Sequence, residues 1–332
     1  MKAAYITRTG DPDVIEYGDL PEPEPGSGQV LVRTEAVAVN PIDTYVRGGL
    51  VSIELDYPYT IGCDLAGVVE ACGEGVDRFT VGDRVWGSNQ GLLGRAGTFS
   101  ELAAVDQQWL YGAPDGVSSE LLAAGALVGL TAHLGLFLHA GVAGDDLVFV
   151  NGGTGGVGAA VVQLAKGAGA RVAATVGSTE KQEICRSLGA DLVVDYHDPD
   201  MDQILAEFAA ENGGIDVWFE TLREPTPERT IELMAKRGRI VLMAGRAARP
   251  EFPVGPFYTK DLRLFGFAMF NASADEQRVC GERINELAAA GGWNPPIGAR
   301  FPLSDSVAAH QLQQDNTIGG LGTLAGKIVL TP

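Results

Sequence analysis

The chain has 332 residues, 45% of them apolar and 20% charged, with a formal net charge of −19. That length exceeds what a single hydrophobic core usually serves, so two domains are expected, and the composition is globular rather than disordered. The acidic balance excludes non-specific binding to nucleic acid or to an anionic membrane surface, both of which need a basic face.

The first 120 or so residues read as short strands and turns. "KAAYI", "QVLVRTEAVAVN", "AGVVEAC" and "GDRVWG" are short apolar or alternating runs, separated by "PEPEPGSG", "GEGVDRFTVGD" and "GLLGRAG". The opening "MKAAYITRTG" contains no long apolar stretch and does not read as a secretion signal. Cys63, Cys72, Cys185 and Cys280 form no CxxC pair, which fits a reducing cytoplasm rather than a disulfide framework. Residues 121–144 carry no formal charge and are long enough to raise a membrane span. They are broken by Thr131, His133, His139 and five glycines, so a buried helix or helix pair at a domain junction is the better reading.

From Asp145 the rhythm changes to strands alternating with helices. "DLVFVNG", "RVAATVG", "DLVVDY", "IDVWFET" and "RIVLMAG" read as strands, and "LRLFGFAMF" as a sixth, edge strand. Between them "GGVGAAVVQLAKGAG", "STEKQEICRSLGA", "MDQILAEFAAENGG" and "PERTIELMAKRG" read as helices. Such alternation predicts a parallel sheet with helices on both faces. Beyond it, "ADEQRVCGERINELAAAGG" predicts a helix, and "FPLSDSVAAHQLQQ" with "GKIVLTP" a helix and a last strand that returns to the first domain.

Gly153-x-Gly155-x-x-Gly158 follows the first of these strands and opens a helix, the context in which GxGxxG holds the pyrophosphate of a dinucleotide. An NAD site places Asp or Glu at the end of the second strand, to bind the ribose 2′-hydroxyl. Residues 174–179 contain no acid. Ser178, Lys181 and Tyr196 offer instead a hydroxyl, an ammonium and a phenol to a 2′-phosphate, which selects NADPH, with Glu180 diluting the positive field.

On these motifs the chain resembles the zinc-free medium-chain dehydrogenases/reductases, specifically the zeta-crystallin-like NADPH:quinone oxidoreductases. The resemblance runs essentially end to end, through "NPIDTYVRGGL", "IGCDLAGVVEACGEGVDRFTVGDRVWG", "GTFSEL", "GLTAHLGL", "NGGTGGVGAAVVQLAKGAGA", "TVGSTEK" and "GKIVL". It implies an α/β chain: a Rossmann-type, doubly wound parallel-sheet domain over 123–271, and an irregular, mostly β, GroES-like catalytic domain over 1–122 and 272–332. Zinc-dependent relatives carry a Cys near the "NPID" position, a Gly-His-Glu where this chain has Gly62-Cys63-Asp64, and a four-cysteine lobe. All three are missing, and the four histidines have no ligand spacing, so no metal is expected.

The resemblance also implies site residues. Asn40 and Tyr45 line the nicotinamide pocket and carry the catalytic step, and Thr131 contacts the nicotinamide side. Thr154, Gly155, Gly156 and Val157 hold the pyrophosphate, and Gly177, Ser178, Lys181 and Tyr196 surround the ribose phosphate. Met243, Ala244, Gly245 and Arg246, with Phe267, Ala268 and Met269, border the cofactor's far half. Lys327 stands where relatives place a basic residue near the cofactor. His133 departs from the tyrosine common at its position.

The implied reaction is metal-free transfer of a hydride, or of electrons, from NADPH to a quinone, with Tyr45 orienting the acceptor or donating a proton. The nearest alternative is reduction of an enone or enoyl thioester, where Tyr45 becomes an obligatory acid. A non-catalytic, crystallin-like or RNA-binding protein is the alternative outside that class, and the charge of −19 opposes RNA binding. The apolar edge strand within residues 262–270 predicts a homodimer that pairs it with its own copy, as the family commonly does.

Overall fold

The computed structural model describes residues 1–51 and 53–332. It divides into two compact units, Met1–Leu127 with Ser273–Pro332, and Val128–Ala272.

In the first unit the organising strand is Gln29–Val39. Its first half alternates buried and exposed residues, and its second half is buried throughout. It pairs antiparallel with Asp64–Cys72, Leu102–Asp106 and the C-terminal strand Lys327–Thr331. The register sets Ile328 opposite Val39 and Asp64 opposite Ala38, which brings the two ends of the chain to one place. A smaller antiparallel sheet joins Ile15–Asp19, Lys2–Ile6 and Tyr59–Thr60. Val30, Val32, Val37, Leu65, Phe99, Ile328 and Leu330 are among the buried core between these layers.

The second unit is a six-stranded, all-parallel sheet. Its order is Leu192–Asp195, Arg171–Val176, Leu147–Val150, Ile215–Glu220, Met234–Leu242 and Arg263–Gly266. Numbered along the chain this is 3-2-1-4-5-6, the doubly wound order, with its switch point between the first and fourth strands. The central strand "LVFV" is buried at every position, as a strand covered by helices on both faces must be.

The apolar stretch after Ser118 is the helix Ser119–His133, continued by a wider π-turn over Leu134–His139. It is the one helix among the described residues long and apolar enough to cross a membrane, and 78% of its most apolar window is buried in protein. Its glycines mark close approaches. A side chain on Gly125 would meet the Trp293 indole at 2.6 Å, and one on Gly135 the Phe219 ring at 2.5 Å.

Two predicted elements are shorter than their patterns: the edge strand read over residues 262–270 pairs only over Arg263–Gly266 and gives way to a helical turn at Met269–Asn271, and a predicted helix ends early. "PERTIELMAKRG" reads as one helix, but the helix stops at Leu233 and a strand begins at Met234. The Lys260 ammonium donates to the carbonyls of Ile231, Glu232 and Met234, taking over acceptors that a continuing helix would have used.

Candidate functional site

The strand Leu147–Val150 ends at Asn151, and the chain turns through Gly152, whose φ of +72° favours glycine. Gly153 N–H donates to the Thr175 carbonyl at 2.8 Å, and Gly155 N–H to that of Gly152 at 3.0 Å, closing the turn. A methyl on Gly153 would stand 2.7 Å from both Ala174 Cβ and Cys185 Sγ, and one on Gly158 would overlap the Gly152 carbonyl. Because neither exists, the helix Gly156–Gly167 starts directly against the turn. Its ladder opens with Ala159 N–H on the Gly155 carbonyl, 2.8 Å. The amides of Gly156, Val157 and Gly158 precede that bond and are left for an anion. Thr154 is buried, Gly155 exposed, and Gly156 and Val157 half-buried.

The second strand ends in Gly177 and Ser178 with no carboxylate. Ser178 caps the helix Thr179–Ser187: its Oγ accepts the Lys181 N–H at 3.3 Å, which leaves the hydroxyl proton for another acceptor. Lys181 is half-buried, and burial lowers its pKa while Glu180 opposes that shift. Tyr196, 43% exposed at the end of the third strand, lays its phenol oxygen where a Gly177 side chain would be. Met243, Ala244, Gly245 and Arg246 follow the fifth strand, and Phe267, Ala268 and Met269 the sixth. All these groups therefore sit at the carboxyl ends of one parallel sheet, where doubly wound folds bind their ligands. Thr131 is buried within the long helix, and the His133 ring packs 4.6 Å from Phe137.

In the first unit, Asn40 begins the short helix Pro41–Arg47, which carries Tyr45 on a half-buried position. Asn40 itself is fully buried and its amide is engaged. Nδ2 donates to Asp64 Oδ2 at 2.7 Å and to the Ala38 carbonyl at 3.3 Å, and Oδ1 accepts from the Lys327 ammonium. Lys327, also buried, donates as well to the Val39 carbonyl at 2.7 Å and lies 4.0 Å from Asp64. Asp64 further accepts from Ser88 Oγ and from the Leu127 amide. Asp43 accepts the Asn40 N–H at 2.7 Å and a hydrogen bond from Cys63.

Burial dominates the electrostatics of this cluster. It pushes Asp43 up to about 7, with the Asp64 charge acting in the same direction and the Cys63 and Asn40 donors against it. It raises Asp64 against the pull of Lys327 and three donors, raises the Cys63 thiol, and lowers Lys327. Two carboxyls thus face one ammonium, and burial raises both. Asn40 and Lys327 therefore face into the unit's interior and act on each other. Reading residue by residue missed the rest of this network, and also Asn151, Thr175 and Glu220 beneath the glycine turn. No short-range spacing marks residues whose partners lie tens to hundreds of positions away.

Comparison with known proteins fits this geometry. Residues 26–115 match the family model "Alcohol dehydrogenase GroES-like domain", and residues 156–284 match "Zinc-binding dehydrogenase". The donors for zinc do not assemble here: among the described residues no group of three or more His, Cys, Asp or Glu is placed to hold a metal. Asp64 instead lies 4.0 Å from a cation the chain supplies, Lys327, and the charges of Asp64, Asp43 and Cys63 oppose the lowering of its pKa by burial. The human quinone oxidoreductase is 30% identical over 99% of this chain and 97% of its own. A 2-haloacrylate reductase of a Burkholderia species is 29% identical over 100% and 99%. Among solved structures, an NAD-dependent alcohol dehydrogenase superposes with a TM-score of 0.87 at 31% identity, covering 100% of both chains. A mycobacterial protein complexed with NADPH superposes at 0.84 with 30% identity, also over 100% of both. With its GroES-like segment, its 3-2-1-4-5-6 sheet and full-length similarity at 30% identity, the chain belongs to the zeta-crystallin-like quinone oxidoreductases of the medium-chain dehydrogenase/reductase superfamily, a family of oxidoreductases.

Proposed function

We propose that this protein reduces quinones with NADPH. The observation that carries the reading is the acid-free end of the second strand, where Ser178 caps the helix that carries Lys181 and the Tyr196 phenol lies over Gly177. The amides of Gly156, Val157 and Gly158 receive the pyrophosphate, with Thr154 and Gly155 lining the turn. The Ser178 hydroxyl, the Lys181 ammonium and the Tyr196 phenol receive the 2′-phosphate. Similarity to a structure complexed with NADPH supports this choice over NADH, whereas the NAD-dependent alcohol dehydrogenase neighbour argues the other way. The sequence between residues 174 and 179 decides for NADPH, because an unopposed 2′-phosphate needs donors and tolerates no carboxylate.

The reduced nicotinamide supplies a hydride when bound. Gly177 makes room for the Tyr196 phenol beside the ribose phosphate, and Thr131, Met243 to Arg246 and Phe267 to Met269 border the remainder of the coenzyme. Tyr45 orients the acceptor and stands ready to hand a proton to its oxygen. Asn40 and Lys327 act through their buried bonds, holding the start of the helix that carries Tyr45. The 2-haloacrylate reductase relative supports a second reading, alkene reduction, in which the Tyr45 proton is indispensable. The exposed strand Arg263–Gly266, at the edge of its sheet, supports pairing with a second copy of this chain.

A steady-state panel of quinones, enones and enoyl thioesters with NADPH and NADH tests the proposal. Quinone turnover with NADPH that survives Tyr45→Phe with less than about a tenfold loss is the expected result. Turnover confined to alkenes and abolished by Tyr45→Phe would establish the second reading instead.

A further inference from the structure

Beneath the glycine turn, at the switch point of the parallel sheet, lies a second buried network. Glu220 ends the fourth strand with 2% exposure, and burial raises its carboxyl pKa against the pull of its hydrogen-bond donors and of the Arg229 charge. Its Oε2 accepts from Asn151 Nδ2 at 2.7 Å and from Trp218 Nε1 at 3.1 Å, and its Oε1 accepts from the Leu222 amide at 2.8 Å. Asn151 Oδ1 accepts from Thr175 Oγ1 at 2.9 Å, and Thr175 Oγ1 in turn accepts from the Gly152 amide at 3.3 Å. The Thr175 carbonyl also takes the Gly153 amide, so this one residue grips the turn twice.

We propose that Glu220 is a positioning residue for the coenzyme: through Asn151 and Thr175 it sets the direction of a hydrogen-bond chain that ends on Gly152 and holds the glycine turn in its anion-receiving shape. The proposal rests on the coenzyme reading above. Its physical core is polarity. A carboxylate only accepts, so Asn151 must present its amino group to Glu220 and its oxygen to Thr175. The Thr175 hydroxyl then gives its single proton to Asn151, and the lone pairs that remain are available to Gly152. Three donors from three directions keep the carboxylate from rotating. The Thr221 hydroxyl, donating to the Asn151 carbonyl at 2.6 Å, fixes the backbone of the same residue.

The choice of residue type supports a role beyond packing. A buried negative charge close to a pyrophosphate site opposes the ligand, and a glutamine of nearly the same volume would fill the space without it. Glutamine would, however, set its own amino group either against the Asn151 and Trp218 donors or against the Leu222 amide. The chain keeps the group that has no donor to offer.

Calorimetric titration with NADPH and amide hydrogen exchange of the ligand-free protein test this together. Glu220→Gln is expected to raise the Kd for NADPH by about tenfold or more and to speed exchange at Gly152 and Gly153. Asn151→Asp alone, which sets two carboxyls face to face, is expected to weaken binding at least as much. The double variant Glu220→Gln/Asn151→Asp restores the link to residue 151, since the glutamine amide donates to the carboxylate introduced there and Thr175 still donates to it, and leaves only the Trp218 N–H without its acceptor. Its Kd and exchange rates are expected to recover at least about threefold relative to either single variant, a rescue that loss of packing would not give. Unchanged binding and exchange in Glu220→Gln would overturn the proposal, as would a double variant that folds or binds no better than the single ones. Failure of the parent itself to bind NADPH or NADH would sink the coenzyme reading, while the exchange rates would still decide whether Glu220 holds the turn.

Discussion

The glycine turn after Val150 and the polar cluster around Asp64 treat the same resources in opposite ways. The turn removes side chains until backbone amides are left over at the start of the helix Gly156–Gly167. The cluster buries Asn40, Asp43, Asp64 and Lys327 and pairs their polar atoms inside the unit. An anion site needs donors that the fold leaves unused; an internal clamp needs none left over. On the proposed function the first is a place for ligand; the second ties the C-terminal strand to the start of the helix carrying Tyr45.

Substitutions in each region probe that contrast, and the largest effect is expected in the clamp. Lys327→Met leaves two buried carboxyls without their cation, a situation that costs about 3–5 kcal/mol. Denaturant unfolding of the variant measures it, and a loss below about 1 kcal/mol would mean that the ammonium is not what balances the cluster.

The turn is next. Gly158→Ala drives a methyl into the Gly152 carbonyl, and overpacking of this kind costs about 1–3 kcal/mol. Gly155→Ala meets the same oxygen only at 3.3 Å, so it serves as the mild control. Coenzyme affinity should fall at least about tenfold in the first and change far less in the second. Equal losses would show that the close approach at Gly158 does not shape the site.

The response to pH is more gradual, spread over about three pH units. Burial raises Asp43 to about 7 in the folded state, above the ordinary carboxyl value near 3.9. Between those values the native state binds more protons than the unfolded one, so stability falls as pH rises from about 4 to about 7, by at most about 1.4 kcal/mol per pH unit. His310 works in the other direction. Burial, aided by the Arg47 charge, lowers it to about 3, and it destabilises the fold as pH drops below about 6.5. The difference between Asp43→Asn and the parent isolates the first contribution. The variant should gain relative stability steadily between pH 4 and 7 and no further above that. A difference that is flat across this range would place the buried proton elsewhere.

The two regions also differ in how much of them a reader of the sequence could see. The turn, its flanking strand and helix and the acid-free "VGSTEK" are local, and each is legible from spacing within about thirty residues. The doubly wound sheet follows, because strand and helix periods alternate in plain order. The clamp is not legible in this way, since Asn40 and Lys327 are separated by 287 positions and meet only because the last strand pairs with Gln29–Val39. The Asn151–Glu220 bond spans 69 positions and depends on the first and fourth strands becoming neighbours. The early end of the helix Pro227–Leu233 has the same origin, for the lysine that terminates it lies on the far side of another helix in sequence. Family resemblance named Asn40 and Lys327 as residues beside a cofactor; no local pattern announces that their side chains also bond each other.

On the proposed function, the ends of the second and third strands select a 2′-phosphate. Calorimetric titration of the parent and of Lys181→Ala with NADPH and with NADH decides whether they do. NADPH should bind the parent more tightly than NADH, and Lys181→Ala should weaken NADPH by about tenfold while shifting NADH by less than about threefold. Equal affinity for the two coenzymes, or equal losses for both in the variant, would show that these strand ends do not read the 2′-phosphate.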